Sequence, residues 1–296
     1  MYGAPGADGT RAPGASAPTV LRLLLGIQLR RLREARGISA AAAATAIHGS
    51  ESKISRIELG RNAVREIDVA DLLDLYGITD AAEREPLLVL AGKANQQGWW
   101  HHYQDVLPTW FHAYLGLEES ADVIRSYETQ FVPGLLQTEE YSQAVVRLGA
   151  YPREDTDRLV LLRKERQQRF ASSGLRLWVV IDEIALRRPV GTTCTIRRQL
   201  EHLLQIADQP GLTIQITPFA TGASYAAPGS FSILSFAADD LPDVVYVEQL
   251  TSALYLDKRA DVDRYAQAMD LIASTSTPPE KFQQFLRAML AETTGS

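Results

Sequence analysis

The stretch Ile38–Gly60, ISAAAAATAIHGSESKISRIELG, decides the fold of the N-terminal part of the chain. Ser39 precedes five consecutive alanines and can accept a hydrogen bond from the first free N–H groups of a helix over residues 40–47. Apolar residues at helical spacing predict a second helix over residues 51–59, which Gly60 closes. Histidine, glycine and serine between the two segments are typical of a tight turn. The stretch therefore predicts two short helices joined by a turn.

The side chains of this stretch also predict how the two helices pack. Ala44 offers the small side chain that a close helix crossing needs, and Gly49 tolerates the positive φ angle that we expect in the turn. The side that both helices would bury consists of isoleucines: Ile38, Ile47, Ile54 and Ile57. The opposite side of the second helix, from Glu51 to Arg56, is then left facing solvent. Such a helix-turn-helix presents its second helix to the major groove of DNA.

Three further helices and a tail complete the predicted N-terminal domain. Apolar residues at helical spacing predict a first helix over residues 21–36 and two later helices over residues 67–76 and 81–94. Residues 1–19 are mostly glycine, alanine, proline and serine and have little to bury, so we expect a disordered tail. The predicted domain is all-α and spans residues 20–97.

Charge is unevenly distributed along the 296 residues, whose net charge is −6. Residues 20–65 contain nine basic and three acidic residues, whereas the chain from Glu66 onward carries −12. A basic segment on an acidic protein is typical of a DNA-binding domain attached to a larger regulatory domain. The single cysteine, Cys194, excludes an internal disulfide, and no apolar segment reaches the roughly 20 residues of a membrane span. We therefore expect a cytoplasmic protein with no membrane association.

The exposed side of the predicted second helix carries the candidate base-reading residues Glu51, Ser52 and Arg56. Arg56 can donate two hydrogen bonds to guanine O6 and N7, Glu51 can accept one from cytosine N4, and Ser52 can do either. The predicted contacts to the DNA backbone come from polar side chains around this helix: Ser39, Ser50, Lys53, Ser55, Arg61 and Asn62. The alternative is that Glu58 pairs with Arg33 or Arg56 inside a helical bundle that does not bind DNA.

Residues 98–296 combine helical and strand periodicities and predict a larger α+β effector domain. The predicted helices lie near residues 119–128, 139–148, 154–170, 195–207, 260–273 and 279–291. The predicted strands lie near residues 175–181, 212–217, 230–236 and 244–247. Asp182 and Glu183 follow the first strand, but no nucleophile motif or phosphate-binding loop accompanies them. We expect these two carboxylates to cap the next turn.

Aromatic side chains mark the start of this second domain. They are typical of a belt that packs the linker onto the core, and a pocket for an apolar effector is the alternative. The candidate effector- or partner-binding residues are Trp99, Trp100, Tyr103, Leu135 and Leu136. His101 and His102 would point about 100° apart on a helix and cannot chelate one ion, so we expect no metal and no cofactor. A basic stripe is either a solvated face or a second nucleic-acid surface: Arg163, Lys164, Arg166 and Arg169.

Two segments resemble the XRE-type, phage-repressor-like helix-turn-helix: LRRLREARGIS at Leu29–Ser39 and SKISRIELGR at Ser52–Arg61. The resemblance implies a lambda-repressor-like fold that binds double-stranded DNA. Such repressors usually have glutamine where this chain has Ala40, and often glutamate where it has Ala42. The missing glutamine removes one phosphate contact that the resemblance would otherwise imply.

Four further motifs resemble the effector domain of actinobacterial regulators of the WhiJ, antitoxin-like type: Gly98–Trp100, Tyr114–Glu118, Val132–Thr138 and Val244–Glu248. The string PGLLQT within the third motif is the most specific of them. In regulators of this type the effector domain has no established catalytic activity. The resemblance also implies a small partner protein, encoded nearby, that modulates DNA binding.

The sequence as a whole predicts a sequence-specific DNA-binding transcriptional regulator whose C-terminal domain senses a partner protein or a small-molecule effector. We expect a homodimer that reads two half-sites about one helical turn apart. The first alternative is an antitoxin-like protein that sequesters a small partner protein, with DNA binding only autoregulatory. The second alternative is an enzyme with a DNA-binding appendage, for which the sequence offers no catalytic residues.

Overall fold

The N-terminal part of the structure is a bundle of five helices. A computed structural model describes residues 18–60, 62–149, 152–221, 229–237 and 241–294. The five helices are α1 (Pro18–Ala35), α2 (Ala40–Ala46), α3 (Glu51–Glu58), α4 (Glu66–Leu75) and α5 (Ala81–Ala94). All five predicted helices are thus confirmed, with ends that differ by at most three residues. Most of the predicted tail, residues 1–17, lies outside the described residues, whereas Pro18 and Thr19 already belong to α1.

Small residues lie at two helix contacts of the bundle. Ala43 and Ala44 are buried where α2 meets α3, as the alanine run predicts. A Cβ at Gly26 would lie 2.5 Å from the carbonyl oxygen of Ile57, so glycine alone lets α1 approach the end of α3 this closely. The apolar core between the helices includes Leu25, Leu29, Ile47, Ile54, Ile57, Leu72 and Leu73. Ile38 packs against this core and stays partly exposed.

The turn between α2 and α3 differs from the prediction. The residue with a positive φ angle is His48, at 48°, and Gly49 is not in the left-handed region. A histidine tolerates this region better than a bulky or β-branched residue does. A Cβ at Gly49 would lie 2.9 Å from Cδ of Lys53. The prediction for Gly49 was therefore wrong, and this glycine makes room for a side chain of α3.

The second part of the structure is an α+β domain, as predicted. Its helices are α6 (Thr109–Ser120), α7 (Glu139–Leu148), α8 (Arg153–Ser173), α9 (Glu183–Arg187), α10 (Thr193–Ile206), α11 (Arg259–Thr275) and α12 (Phe282–Thr294). Its strands are β1 (Val123–Glu128), β2 (Arg176–Asp182), β3 (Leu212–Thr217), β4 (Phe231–Ser235), β5 (Val244–Glu248) and β6 (Ala253–Leu256). Short 3-10 turns lie at Trp99–Tyr103, Gly134–Leu136, Phe219–Thr221 and Pro279–Lys281.

The six strands form one mixed sheet in the order β3-β2-β1-β4-β5-β6. Strands β1, β2 and β3 run parallel, and β4, β5 and β6 continue the sheet in antiparallel pairs. One face of the sheet packs against α6, α10 and α12, and we call it the α10 face. The other face packs against α11. Both faces are therefore covered, as in a typical α+β domain.

The prediction of a helix over residues 119–128 was wrong. Helix α6 ends at Ser120, and residues Val123–Glu128 form β1, which lies in the middle of the sheet. Val123, Ile124 and Tyr127 are residue types that favour strands. The preceding run of helix-favouring residues concealed this signal. Strand β6 and the short helix α9 were not predicted either.

Helix α1 belongs to both parts of the molecule. Leu25 and Leu29 are buried in the core of the bundle, whereas Val20 is buried in the core of the α+β domain beside α6. A Cβ at Gly116 would lie 2.2 Å from Oγ1 of Thr19, so α6 touches the first turn of α1 directly. Helix α1 therefore contacts both α6 and α3.

Candidate functional site

The outer side of α3 is open to solvent. Glu51, Ser52, Ser55 and Arg56 are exposed, while Ile54 and Ile57 point into the core. Among the described residues, no hydrogen bond or ion pair engages the guanidinium group of Arg56. The three predicted base-reading side chains are thus available on one side of a short, capped helix.

A largely buried ion pair fixes α3 against α1. Nε of Arg33 donates to Oε1 of Glu58 over 2.6 Å, and its second terminal nitrogen donates to Oε2 over 2.9 Å. The first terminal nitrogen donates to the carbonyl oxygen of Ile38 over 2.9 Å. The hydrogen bonds that Arg33 donates to Glu58 raise the pKa of Arg33. The pairing that was the alternative to DNA binding therefore exists, but it uses Arg33 and leaves Arg56 free for a ligand.

Two of the predicted backbone-contacting serines serve as helix caps. Oγ of Ser39 accepts a hydrogen bond from the N–H of Ala42 over 3.1 Å, and Oγ of Ser50 accepts one from the N–H of Lys53 over 3.2 Å. Each hydroxyl keeps its own proton for donation to a phosphate oxygen. The capping role predicted for Ser39 is confirmed.

The other predicted backbone contacts differ in their availability. Ser55 and Asn62 are exposed. Nζ of Lys53 lies 2.9 Å from Oδ2 of Asp68, a buried carboxylate that Arg65 also contacts. Lys53 is thus already engaged within the bundle, on a carboxylate that it shares with Arg65. Arg61 lies outside the described residues.

Comparison with known protein families agrees with this division of the chain. Residues 24–87, which include α2 and α3, match a family described as a helix-turn-helix domain. Residues 111–288, more than half of the chain, match a family described as a domain of unknown function, DUF5753. The chain belongs to this family. No curated protein and no solved structure matches it. The helix-turn-helix match supports DNA binding by the N-terminal bundle and a role in transcription regulation.

The DUF5753 domain contains a cleft of about 670 Å³. The cleft lies over one end of the α10 face of the sheet, between α6, α7 and α8. Its walls combine apolar and polar surface in similar proportion, and the apolar lining includes Phe111, Phe131, Leu135, Val146, Leu159 and Leu162. Its polar lining includes Ser126, Glu128, Ser230, Ser232, Tyr246, Glu248 and Arg163. A cleft of this size and lining is typical of a site for a small organic molecule.

Burial changes the acid–base properties of the cleft. Burial, followed by the negative charge of Glu248, raises the pKa of Glu128 to about 8. Burial and the positive charge of Arg166 lower the pKa of Arg163 to about 10. Arg163 donates a hydrogen bond to Oε1 of Gln137, and Arg166 forms a buried pair with Glu118. Glu128 is thus largely protonated at neutral pH, whereas both arginines are charged.

The string Val132–Thr138 builds one wall of this cleft. Nε2 of Gln137 donates to the carbonyl oxygen of Val132 over 2.6 Å, which closes the turn. Oγ1 of Thr138 caps α7 by accepting a hydrogen bond from the N–H of Tyr141 over 3.2 Å. Gly134 lies under the guanidinium groups of α8, since a Cβ there would lie 3.4 Å from Nε of Arg163. The motif therefore shapes the cleft beside its arginines.

Only one of the five predicted effector-binding residues lines this cleft, namely Leu135. Trp100 and Tyr103 are buried in an apolar cluster with Leu162. The side chain of Trp99 contacts Trp100 edge-on and lies under the guanidinium group of Arg169 at 4.3 Å. Leu136 is buried in the main core. The aromatic residues thus pack as a belt, and they lie beside the cleft, not in it.

The remaining polar candidates have local structural partners. Oδ1 of Asp182 caps α9 through the N–H of Ile184 over 2.9 Å, as predicted, and Glu183 pairs with Arg187. Three of the four residues of the basic stripe on α8 are also paired with acids, through Lys164–Glu139, Arg166–Glu118 and Arg169–Glu119. The described residues contain no group of three potential ligands that could hold a metal ion. None of the described helices is long and apolar enough to cross a membrane.

Proposed function

We propose that this protein is a sequence-specific transcription regulator that reads DNA with the exposed side of α3 and senses a signal with its DUF5753 domain. The observation that carries the proposal is the unengaged guanidinium of Arg56 beside Glu51 and Ser52 on an exposed helix. The largely buried ion pair between Arg33 and Glu58 holds α3 in place, and Arg56 is left for a partner. Guanine O6 and N7 match its two parallel N–H donors.

We further propose that two copies bind two half-sites about 34 Å apart, because one short helix contacts only a few base pairs. Helix α1 is the connection between signal and DNA. It packs on α3 through Gly26 and on α6 through Thr19, and α6 forms one side of the cleft. A signal that shifts α6 would alter the spacing of the two recognition helices and shift an existing equilibrium. The homodimer and the cytoplasmic location stay predictions.

The proposal is tested by selecting duplexes from a random pool with the full-length chain and titrating the selected duplex in a mobility-shift assay. Arg56→Ala should weaken binding roughly ten- to hundredfold, the range for one bidentate base contact. Arg264→Ala is the matched control, since Arg264 is also exposed but lies on α11 in the other domain. Equal affinities of the two variants for the selected duplex would contradict the proposal.

A specific surface favours the antitoxin-like alternative as a second candidate function. Leu250 is 98% exposed and Leu254 is 50% exposed, at the turn and strand that end the sheet. Exposed leucines beside an edge strand are typical of a protein-binding surface. If the main role is sequestration, a partner encoded nearby should copurify in equal amounts with the wild-type chain and with Arg56→Ala, but not with Leu250→Asp. Copurification that Leu250→Asp leaves unchanged would contradict this use of the surface.

A further inference from the structure

We infer that the cleft of the DUF5753 domain binds a small organic cation, with its ammonium group at Glu128 and its carbon skeleton between the apolar walls. The inference deepens the sensing part of the proposed function and rests on that proposal for its regulatory meaning. The binding itself is a property of the DUF5753 domain and is measured without DNA.

The strand register places polar side chains in rows on a buried face of the sheet. Ser126 of β1 pairs with Ser232 of β4, which pairs in turn with Tyr246 of β5. Because side chains alternate between the two faces, Glu128 and Glu248 project from the same face two residues further along their strands. The same face carries apolar residues at its other end: Ile124, Leu234 and Val244. The polar end is the end that opens into the cleft.

Two buried hydroxyl groups in these rows lie beside the carboxyls of Glu128 and Glu248 without making a hydrogen bond of normal geometry. Ser126 and Tyr246 are 3% and 6% exposed, and neither hydroxyl makes a hydrogen bond of normal geometry with the described residues. Buried polar groups in proteins are nearly always hydrogen-bonded, and exceptions mark functional sites or bound molecules. A ligand with its own polar group in the cleft would satisfy them.

The charges around Glu128 select the sign of the ligand. The groups that act on this carboxyl are Glu248 and the hydroxyls of Ser230 and Ser126, and no cation is among them. The charged and titratable groups that line the cleft from other elements are Tyr114 of α6, Arg163 and Arg166 of α8, and Tyr246 and Glu248 of β5. Arg166 is held by Glu118, and Arg163 donates to Gln137. An ammonium group would therefore give the carboxyl of Glu128 the cationic partner that it lacks among the described residues.

The walls of the cleft define the rest of the ligand. Aromatic and aliphatic side chains from α6, α7, α8 and the preceding turns face one another across the cleft: Phe111, Phe131, Leu135, Val145, Val146, Leu159 and Leu162. Such walls bind a hydrocarbon or aromatic skeleton, and the volume of about 670 Å³ suits a molecule of drug-like size. The ligand class is therefore an amphipathic amine.

The test is titration calorimetry of the full-length chain with three probes of equal shape: 3-phenylpropylamine, 3-phenylpropan-1-ol and 3-phenylpropanoate. We expect the amine to bind at least tenfold more tightly than the alcohol, and the acid not to bind. Because Glu128 is mostly protonated at pH 7, binding should release about 0.9 proton, measured by comparing buffers of different ionisation enthalpy. As the pH increases, the affinity for the amine should rise about tenfold per pH unit up to about pH 7 and level off above pH 8.

Glu128→Gln should remove both the preference for the amine and the proton release, while Glu280→Gln, an exposed control, should keep both. Proton release by the wild-type chain tests the inference even if the Glu128→Gln variant folds poorly. Arg56→Ala should bind the amine like the wild-type chain, so a failure of DNA reading and a failure of this site are distinguishable. Binding of none of the probes, equal binding of amine and alcohol, a preference for the acid, or an unchanged Glu128→Gln would each overturn the inference.

Discussion

The helical bundle and the DUF5753 domain present the polar side chains that we propose to bind a partner in opposite directions. In the bundle the largely buried charges of Glu58 and Asp68 have partners inside the bundle, and the free guanidinium of Arg56 faces outward. In the DUF5753 domain the hydroxyls of Ser126 and Tyr246 face inward, into a cleft. The difference fits the sizes of the two proposed partners, a DNA duplex and a small molecule. A duplex can be read only by an exposed surface, whereas a small molecule is held by a cavity that removes it from water.

The largest expected effect concerns the paired charges of the bundle. Glu58→Ala leaves the guanidinium of Arg33 largely buried without its carboxylate, so we expect the free energy of unfolding to fall by about 3 kcal/mol. Urea denaturation measures the change. The control is Glu34→Ala, because Glu34 is an exposed partner of Arg30 and its loss should change the free energy of unfolding far less. Similar losses in the two variants would show that the pair between α1 and α3 does not hold the recognition helix.

A second, smaller effect concerns Glu128, the carboxyl of the cleft on which no cation acts. The pKa of Glu128 in the folded protein, about 8, lies above the ordinary value of a glutamate, so the folded state binds a proton that the unfolded state releases. Stability from this group is present at low pH and is lost as the pH rises toward 8. Relative to wild type, Glu128→Gln should therefore gain about 2 kcal/mol between pH 5 and pH 8, a figure reduced for partial exposure. Unfolding curves that stay parallel over this range would contradict the assignment.

The smallest expected effect concerns the cap of the recognition helix. Ser50→Ala removes the hydrogen bond to the N–H of Lys53, so we expect a loss of about 1 kcal/mol in the free energy of unfolding. Ser50→Asp restores an acceptor and should recover that stability, but it should weaken DNA binding because it adds a negative charge beside the phosphates. Thermal unfolding and a mobility-shift titration separate the two effects. A variant that regains stability and binds DNA normally would remove Ser50 from the predicted backbone contacts.

The two regions also differ in how far their sequences predict them. The helices of the bundle follow from local patterns: Ser39 as a cap, Ala44 at a crossing and isoleucines at helical spacing. The outward placement of Arg56 follows from the same periodicity. Local patterns did not show that His48, not Gly49, adopts the left-handed conformation, because both residue types tolerate it.

The cleft could not be predicted in the same way. Its polar row joins Ser126 to Ser232 and Tyr246, which lie more than 100 residues further along the chain and meet Ser126 only through the strand register. The segment that forms β1 was predicted as a helix, so Ser126 and Glu128 were not placed on any sheet face. The signal available in the sequence was the presence of Ser126 and Glu128 in VIRSYE and of Tyr246 and Glu248 in VVYVE, on strands that are otherwise largely apolar.

The central claim is that the exposed side of α3 reads guanine through Arg56. The most direct test replaces each guanine of the selected duplex in turn by 7-deazaguanine, which lacks the N7 acceptor, and measures binding of wild-type protein and Arg56→Ala. The wild-type protein should lose about tenfold in affinity at one guanine of each half-site, and Arg56→Ala should be insensitive at that same guanine. An identical pattern of losses in both proteins would contradict the claim, because Arg56 would then make no contact with any guanine N7.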